Sequence, residues 1–164
     1  MAFQPQIRLP DKRLRGVEAL ARWHSLSRGP VSPRQFIPVA EKAGLICRLG
    51  QLVLESACHA AASWQFGSEF PPCLIAVNVS SIQFTESGFF EQVQKALDRS
   101  RFAPGCLELE ITETTILQEK VKAVRTLHAL REMGVQIAID DFCTGQSCLA
   151  ILQDLPVDTV PKDR

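Results

Sequence analysis

The sequence predicts an α/β fold with a largely parallel sheet and helices packed outside it. Strand and amphipathic-helix patterns alternate from about residue 73 onward, which is typical of strand-helix-strand units. The chain has 164 residues, of which 46% are hydrophobic and 22% charged. This length and composition suit one domain, residues 1–164, built around one sizeable core.

Two strands open the chain, at residues 2–9 and 15–23, on either side of a turn at Pro10. The second strand alternates apolar and polar positions with a period of two. That period places Glu18, Leu20 and Arg22 on one face.

Two helices follow these strands. The first is predicted to begin at Ser32, with Pro33 in its first position and Gln35 completing a capping box. It is predicted to end at Gly44, which suits the left-handed conformation after a helix. The second covers approximately residues 46–64 and keeps the helical period throughout.

The rest of the chain alternates between strands and helices. Strands are predicted at residues 73–80, 106–112 and 135–140. One intervening helix is predicted to begin at Thr85, and the other to end at Gly134. A short helix near residues 149–152 leads into a sixth strand near residues 157–160.

Composition excludes several classes of protein. Eighteen basic residues balance eighteen acidic ones, so neither a nucleic acid polymer nor an anionic membrane is expected as a partner. The sequence has no apolar run of a membrane span's length and no signal-peptide pattern, which predicts a cytoplasmic protein. The six cysteines lack any paired spacing and are expected to be free, mostly buried thiols.

Polar residues recur at the ends of the predicted parallel strands. Glu110 lies 32 residues after Asn78, and Asp140 lies 30 residues after Glu110, close to the length of one strand-helix-strand unit. We therefore expect them at the same level of successive strands, at the carboxyl end where such sheets build their sites. With Glu18 and Asp141 they would form an all-oxygen cluster suited to Mg²⁺ or Mn²⁺.

Each of these residues also has an ordinary structural interpretation. A single glutamate on a strand is usually solvated or paired with arginine, and an asparagine at a strand end is often a turn residue. Two adjacent aspartates, such as Asp140 and Asp141, are more often a helix or loop cap. Arg22, two residues after Glu18, fits either a salt bridge or a contact to a phosphate. The histidines are isolated, and no serine-histidine-aspartate or cysteine-histidine arrangement is indicated.

Taken together, the motifs resemble those of the EAL domain family, bacterial phosphodiesterases that hydrolyse cyclic di-GMP. The signature tripeptide is Glu18-Ala19-Leu20. Further matching segments follow in the family's order along nearly the whole chain: FQP from Phe3, SPRQFIPVAEKAGLI from Ser32, VNVS from Val77, LELEITE from Leu107, AIDDF from Ala138 and LPVD from Leu155.

The resemblance implies a TIM-like (β/α) barrel of the EAL type, here incomplete because the last strands and helices are missing. It implies a two-metal site for Mg²⁺ or Mn²⁺ that would convert cyclic di-GMP to linear pGpG. The implied metal ligands are Glu18, Asn78, Glu110, Asp140 and Asp141. Glu18, Asp140 and Asp141 would be catalytic, and Arg22, Leu20 and Pro33 would contact the substrate.

Departures from the family pattern leave an alternative function open. Pro161 stands where the family usually has a lysine, and Lys162 falls one position out of register, which on a strand reverses its face. Cys143 replaces a glycine in the loop after the aspartates. The alternative is an inactive EAL module that binds cyclic di-GMP or another protein. A homodimer, or a further EAL- or GGDEF-type domain, is the expected protein partner.

Overall fold

A computed structural model of the chain describes residues 1–65, 74–118 and 120–140, with the side chains at 65, 117, 118, 120–122 and 140 left out. It contains a five-stranded sheet formed by β1 (Ala2–Ile7), β2 (Leu14–Leu20), β5 (Leu74–Val79), β6 (Leu107–Thr112) and β7 (Gln136–Asp140). A separate hairpin pairs β3 (Trp23–Ser25) with β4 (Gly29–Val31). The helices are α1 (Pro33–Lys42), α2 (Ile46–Gln65), α3 (Ser81–Thr85), α4 (Phe89–Ser100), α5 (Glu113–Gln118) and α6 (Lys120–Glu132).

The main sheet has the strand order β1-β2-β5-β6-β7. β1 is antiparallel to β2, whereas β2, β5, β6 and β7 are all parallel. The predicted α/β fold with a largely parallel sheet is therefore confirmed. The predicted short helix near residues 149–152 and the sixth strand lie outside the described residues.

The two faces of this sheet have different characters. Odd-numbered positions point toward the helices and form one apolar core with α2, α4 and α6; the sheet contributes Ala19, Ile75, Val77, Val79, Leu107, Leu109, Ile111, Ile137 and Ile139. Even-numbered positions on the opposite face include the buried acids Glu18, Glu108 and Glu110. Because the helices cover one face, the polar residues collect on the other.

The predicted second strand is too long. β2 ends at Leu20, and a hairpin, absent from the prediction, occupies residues 23–31. Trp23 starts this hairpin and packs edge-on against Phe36 of α1, with ring centroids 6.0 Å apart. The alternating pattern continues across the break, so periodicity alone merged two strands that belong to different sheets.

Helix boundaries were predicted with mixed success. α1 has Pro33 in its first turn, as expected, but Ser32 makes no side-chain capping bond, so the predicted capping box is wrong. Thr85 ends α3 and does not begin a helix; α4 begins at Phe89 after Gly88. Gly134 has a φ of 97°, and its left-handed conformation agrees with the predicted end of α6.

Three of the six cysteines lie in the described residues, and all three are free thiols: Cys47, Cys58 and Cys106. Burial raises the pKa of Cys58 to about 12. Among the described helices, none combines the length and the apolar character that crossing a membrane requires.

Candidate functional site

The carboxyl ends of β2, β5, β6 and β7 carry the polar residues singled out in the sequence. Asn78 is level with Glu110 across the parallel β5–β6 pair. Glu18 is level with Ala76, and Asp140 is level with Thr112. The expectation of one common level is therefore wrong by two residues at β2 and at β7. An offset of two keeps the same face, so all four positions belong to one face of the sheet.

Glu18 and Asn78 are in direct contact. The Asn78 Nδ2 donates a hydrogen bond of 2.9 Å to Glu18 Oε1. Glu18 is 6% exposed and Glu110 is 8% exposed, whereas Asn78 is accessible. Two carboxylates are thus withdrawn from water beside an accessible amide, which is a costly arrangement unless hydrogen bonds or a cation compensate it.

Arg15, Glu108 and Gln6 form a second cluster of polar side chains, and it contacts Glu110. Arg15 binds the buried Glu108 carboxylate through both ends of its guanidinium, at 2.7 and 2.5 Å. Arg15 also donates to Gln6, which in turn donates to Glu110. The hydrogen bond to Glu108, opposed by burial, raises the pKa of Arg15 above its ordinary value, so this arginine stays charged at any working pH.

A cavity of about 380 Å³ opens beside Asn78. Its walls include Leu20, Arg22 and Pro33, the three residues implied as substrate contacts. Arg22 is exposed, and its Nη1 donates to the carbonyl of Ala21 at 3.0 Å. The salt-bridge interpretation of Arg22 has no support, because none of the ion pairs found in the described part of the chain includes Arg22.

Sequence reasoning missed Gln83, a buried polar residue of this cavity. Gln83 in α3 is only 3% exposed and lies in the cavity wall. Gly50 of α2 makes room for it, because a Cβ on Gly50 would be 2.0 Å from Gln83 Oε1. The Ser80 side chain, which accepts a hydrogen bond from the Gln83 backbone, caps α3. The serine-to-glutamine spacing of that cap was the available signal.

The described donors fit a hard divalent cation in chemistry, although they do not complete a site. Glu18 and Glu110 supply buried carboxylates, Asn78 supplies an amide oxygen, and the register places Asp140 on the same face. Oxygen donors of this kind suit Mg²⁺ and Mn²⁺. No group of three or more described acids, histidines or cysteines is arranged to hold a metal. The Asp140 side chain, Asp141, Cys143, Pro161 and Lys162 lie outside the described residues.

The parallel sheet, with helices on one face and acids on the other, defines an α/β domain of the class that builds its site at the carboxyl ends of its strands. A sequence model of the EAL domain family matches residues 1–164. The chain belongs to the EAL domain family.

Curated relatives are similar across almost the whole chain. MucR of Pseudomonas aeruginosa, a bifunctional diguanylate cyclase/cyclic di-GMP phosphodiesterase, is 41% identical over 162 residues. The match covers 99% of this chain and 24% of MucR. The uncharacterised protein Rv1357c of Mycobacterium tuberculosis is 42% identical over 160 residues, covering 98% of this chain and 52% of that protein. The chain therefore spans about a quarter to a half of these relatives.

Solved structures show the same fold. The phosphodiesterase PaMucR in complex with c-di-GMP superposes with a TM-score of 0.90 at 40% identity, covering 96% of this chain and 64% of that one. The EAL enzyme Bd1971, with cAMP and cyclic-di-GMP bound, gives 0.89 at 28% identity, covering 98% and 44%. These matches confirm the predicted TIM-like α/β fold of the EAL type, of which this chain represents a part.

Proposed function

We propose that this chain binds cyclic di-GMP in the cavity beside Asn78 and takes part in its hydrolysis to linear pGpG. The observation that carries the proposal is the contact between Glu18 and Asn78 at the edge of a cavity that Leu20, Arg22 and Pro33 also line. Residues predicted as part of an acidic cluster and residues predicted as substrate contacts are thus neighbours, which supports the proposal. The relative MucR is named as a cyclic di-GMP phosphodiesterase, which supports the choice of substrate.

The proposed ligands for Mg²⁺ or Mn²⁺ are Glu18, Asn78, Glu110, Asp140 and Asp141. A bound cation would supply charge neutralisation at the phosphodiester and a water of lowered pKa. Carboxylates at adjoining strand ends repel one another, and a bound cation would relieve that repulsion. We propose no role for Lys162, because it lies one position after the point where the family usually has its lysine.

The remaining roles follow from where the side chains lie. Asn78 orients the Glu18 carboxylate through its amide hydrogens. Arg22 is exposed in the cavity wall, where its guanidinium suits a phosphate of the ligand. Leu20 and Pro33 provide apolar wall against the nucleotide's bases or riboses. Together these residues bind and orient the diester.

The setting of the domain is part of the proposal. We place residues 1–164 in one domain, acting in the cytoplasm beside a second copy or a further EAL- or GGDEF-type domain. The free thiols of Cys47, Cys58 and Cys106 support a reducing compartment.

The test is chromatographic detection of pGpG after incubating the chain with cyclic di-GMP and Mn²⁺. Product is expected from the native chain and is expected to disappear in Glu18→Ala. Glu55→Ala is the matched control, because Glu55 belongs to a surface pair with Arg99 at 3.1 Å, away from the cavity. Ligand binding is measured in parallel by calorimetry with Ca²⁺ in place of Mn²⁺. A folded chain that neither binds nor cleaves the nucleotide would refute the proposal.

A further inference from the structure

We infer that Gln6 and Arg15 are positioning residues that hold the Glu110 carboxylate in place for metal binding. The inference rests on the proposed function, since it gives a role to side chains behind the acidic site. Gln6 Nε2 donates to Glu110 Oε1 at 3.3 Å. Arg15 Nη1 donates to Gln6 Oε1 at 3.2 Å. Arg15, Gln6 and Glu110 therefore form one chain of hydrogen bonds, in which each residue donates to the next.

Arg15 determines the direction of this chain. A guanidinium has donors only, so the Gln6 atom that faces it must be the amide oxygen. The NH₂ end of the same amide then faces Glu110 and donates to it. With the amide held this way, Glu110 Oε1 accepts a hydrogen bond from Gln6, and this bond restrains the rotation of the carboxylate.

Arg15 is itself firmly held. It forms a two-pronged pair with Glu108, whose side chain is 1% exposed. A β-bulge brings Arg15 to this face: Gln6 is level with Gly16 and Ile7 is level with Leu14, so Arg15 is the extra residue of β2 at this point in the register. Bulges of this kind re-aim a side chain. On the intervening strand, Ala76 is level with Glu108 and presents only a methyl group.

Such supporting contacts matter for metal affinity. Carboxylate ligands are hydrogen-bonded in turn, and losing the supporting partner typically weakens metal binding by about 10- to 100-fold. Gln6 donates a hydrogen bond to Glu110, and Glu110 is level with Asn78 across the β5–β6 pair. We therefore expect Gln6 to affect the cation's affinity without being one of its ligands.

The experiment is a calorimetric titration of the native chain and of Gln6→Leu with Mn²⁺ alone. The variant is expected to bind Mn²⁺ about 10-fold more weakly, and a cooperative thermal unfolding transition in the absence of metal checks that it is folded. Gln51→Leu is the matched control and is expected to keep native affinity. It also removes a glutamine Nε2 donor to a glutamate Oε1, at 3.0 Å, but on α2 and away from the acidic site.

A second variant tests the part assigned to Arg15. Replacing both charges of the buried pair, Arg15→Met with Glu108→Leu, avoids leaving one of them unpaired. It is expected to weaken Mn²⁺ binding as Gln6→Leu does, and adding Gln6→Leu is expected to cause no further loss, because both changes act through one hydrogen bond.

Three outcomes would contradict the inference. Native Mn²⁺ affinity in Gln6→Leu would overturn it and leave the proposed function intact. Losses that multiply when the variants are combined would overturn the connection from Arg15 through Gln6. A native chain that binds no Mn²⁺ would overturn the proposed function and this inference together.

Discussion

Asn78 and Glu18 join the ends of two neighbouring parallel strands, with the Asn78 Nδ2 donating to Glu18 Oε1 at 2.9 Å. The contact satisfies one oxygen of a carboxylate that is 6% exposed. An amide at this position therefore does what a second acid could not, because it donates to Glu18 and still presents an oxygen to a cation.

Asn78→Asp is expected to make the fold depend on a cation. A carboxylate in place of the amide would face Glu18 at hydrogen-bonding distance, and two like charges there repel. We expect the metal-free midpoint of thermal unfolding to fall by several degrees, and Mn²⁺ to raise it more than in the native chain.

Asn78→Ala is the control for that experiment, since it loses the hydrogen bond without adding a charge. Differential scanning calorimetry with and without Mn²⁺ measures both variants. An equal response to Mn²⁺ in Asn78→Asp and the native chain would argue against a cation at this edge.

Gly50→Ala is expected to weaken nucleotide binding more than it weakens the fold. The new Cβ would overlap Gln83 Oε1, 2.0 Å away, and the flexible end of that buried side chain would have to move into the cavity. We expect roughly a 10-fold higher dissociation constant for cyclic di-GMP, by calorimetry. Gly44→Ala is a poor control because Gly44 has a φ of 67°; Gly105→Ala, with only distant neighbours, is preferable. Native affinity in Gly50→Ala would show that Gln83 does not border the ligand.

Arg15→Met alone is expected to destabilise the chain by about 3 kcal/mol, because it leaves the buried Glu108 carboxylate without its partner. Adding Glu108→Leu is expected to restore most of that loss. Urea denaturation measures the free energy of unfolding of both variants. Arg99→Met breaks an exposed pair with Glu55 and is expected to cost less than about 1 kcal/mol. Similar losses for Arg15→Met and Arg99→Met would mean that the Glu108 pair adds little to stability.

Alkaline pH is expected to destabilise the fold through Cys58. Burial raises the pKa of this thiol from 9.0 to about 12. Above about pH 9 the unfolded chain releases the proton while the folded chain keeps it, so stability falls as pH rises, by at most about 1.4 kcal/mol per unit. Cys58→Ala is expected to lose less stability between about pH 8 and 10.5. Urea denaturation at the two pH values measures the difference, and parallel losses in both chains would contradict the assignment.

Much of the fold could be predicted because its patterns are local. The odd-numbered apolar positions of β5, β6 and β7 form nearly continuous buried strands, and Gly134 ends its helix as its left-handed φ requires. The start of α4 could not be predicted, because Thr85 belongs to a separate five-residue helix whose cap is Ser80. Both residues suit a helix start, and only the packing distinguishes them.

The positions of some candidate site residues in the sheet could be predicted, but their supporting contacts could not. Spacing by one strand-helix-strand unit led to Asn78 and Glu110, which are level in the sheet. The same spacing could not show the two-residue offsets of Glu18 and Asp140, since register between parallel strands depends on how the sheet is tilted. Arg15 was unpredictable for a related reason: a bulge turns it toward Glu108, against the strand's alternation.

The β3–β4 hairpin lets the chain leave the cavity at Arg22 and return to it at Pro33. Its tip carries Leu26, which is fully exposed, while Trp23 at its base is held against Phe36. The hairpin therefore connects two residues of the cavity wall, while Leu26 at its tip is not part of that wall. A fluorophore attached at Leu26→Cys would therefore lie outside the cavity, on an exposed tip of the kind where substitutions and insertions are tolerated best.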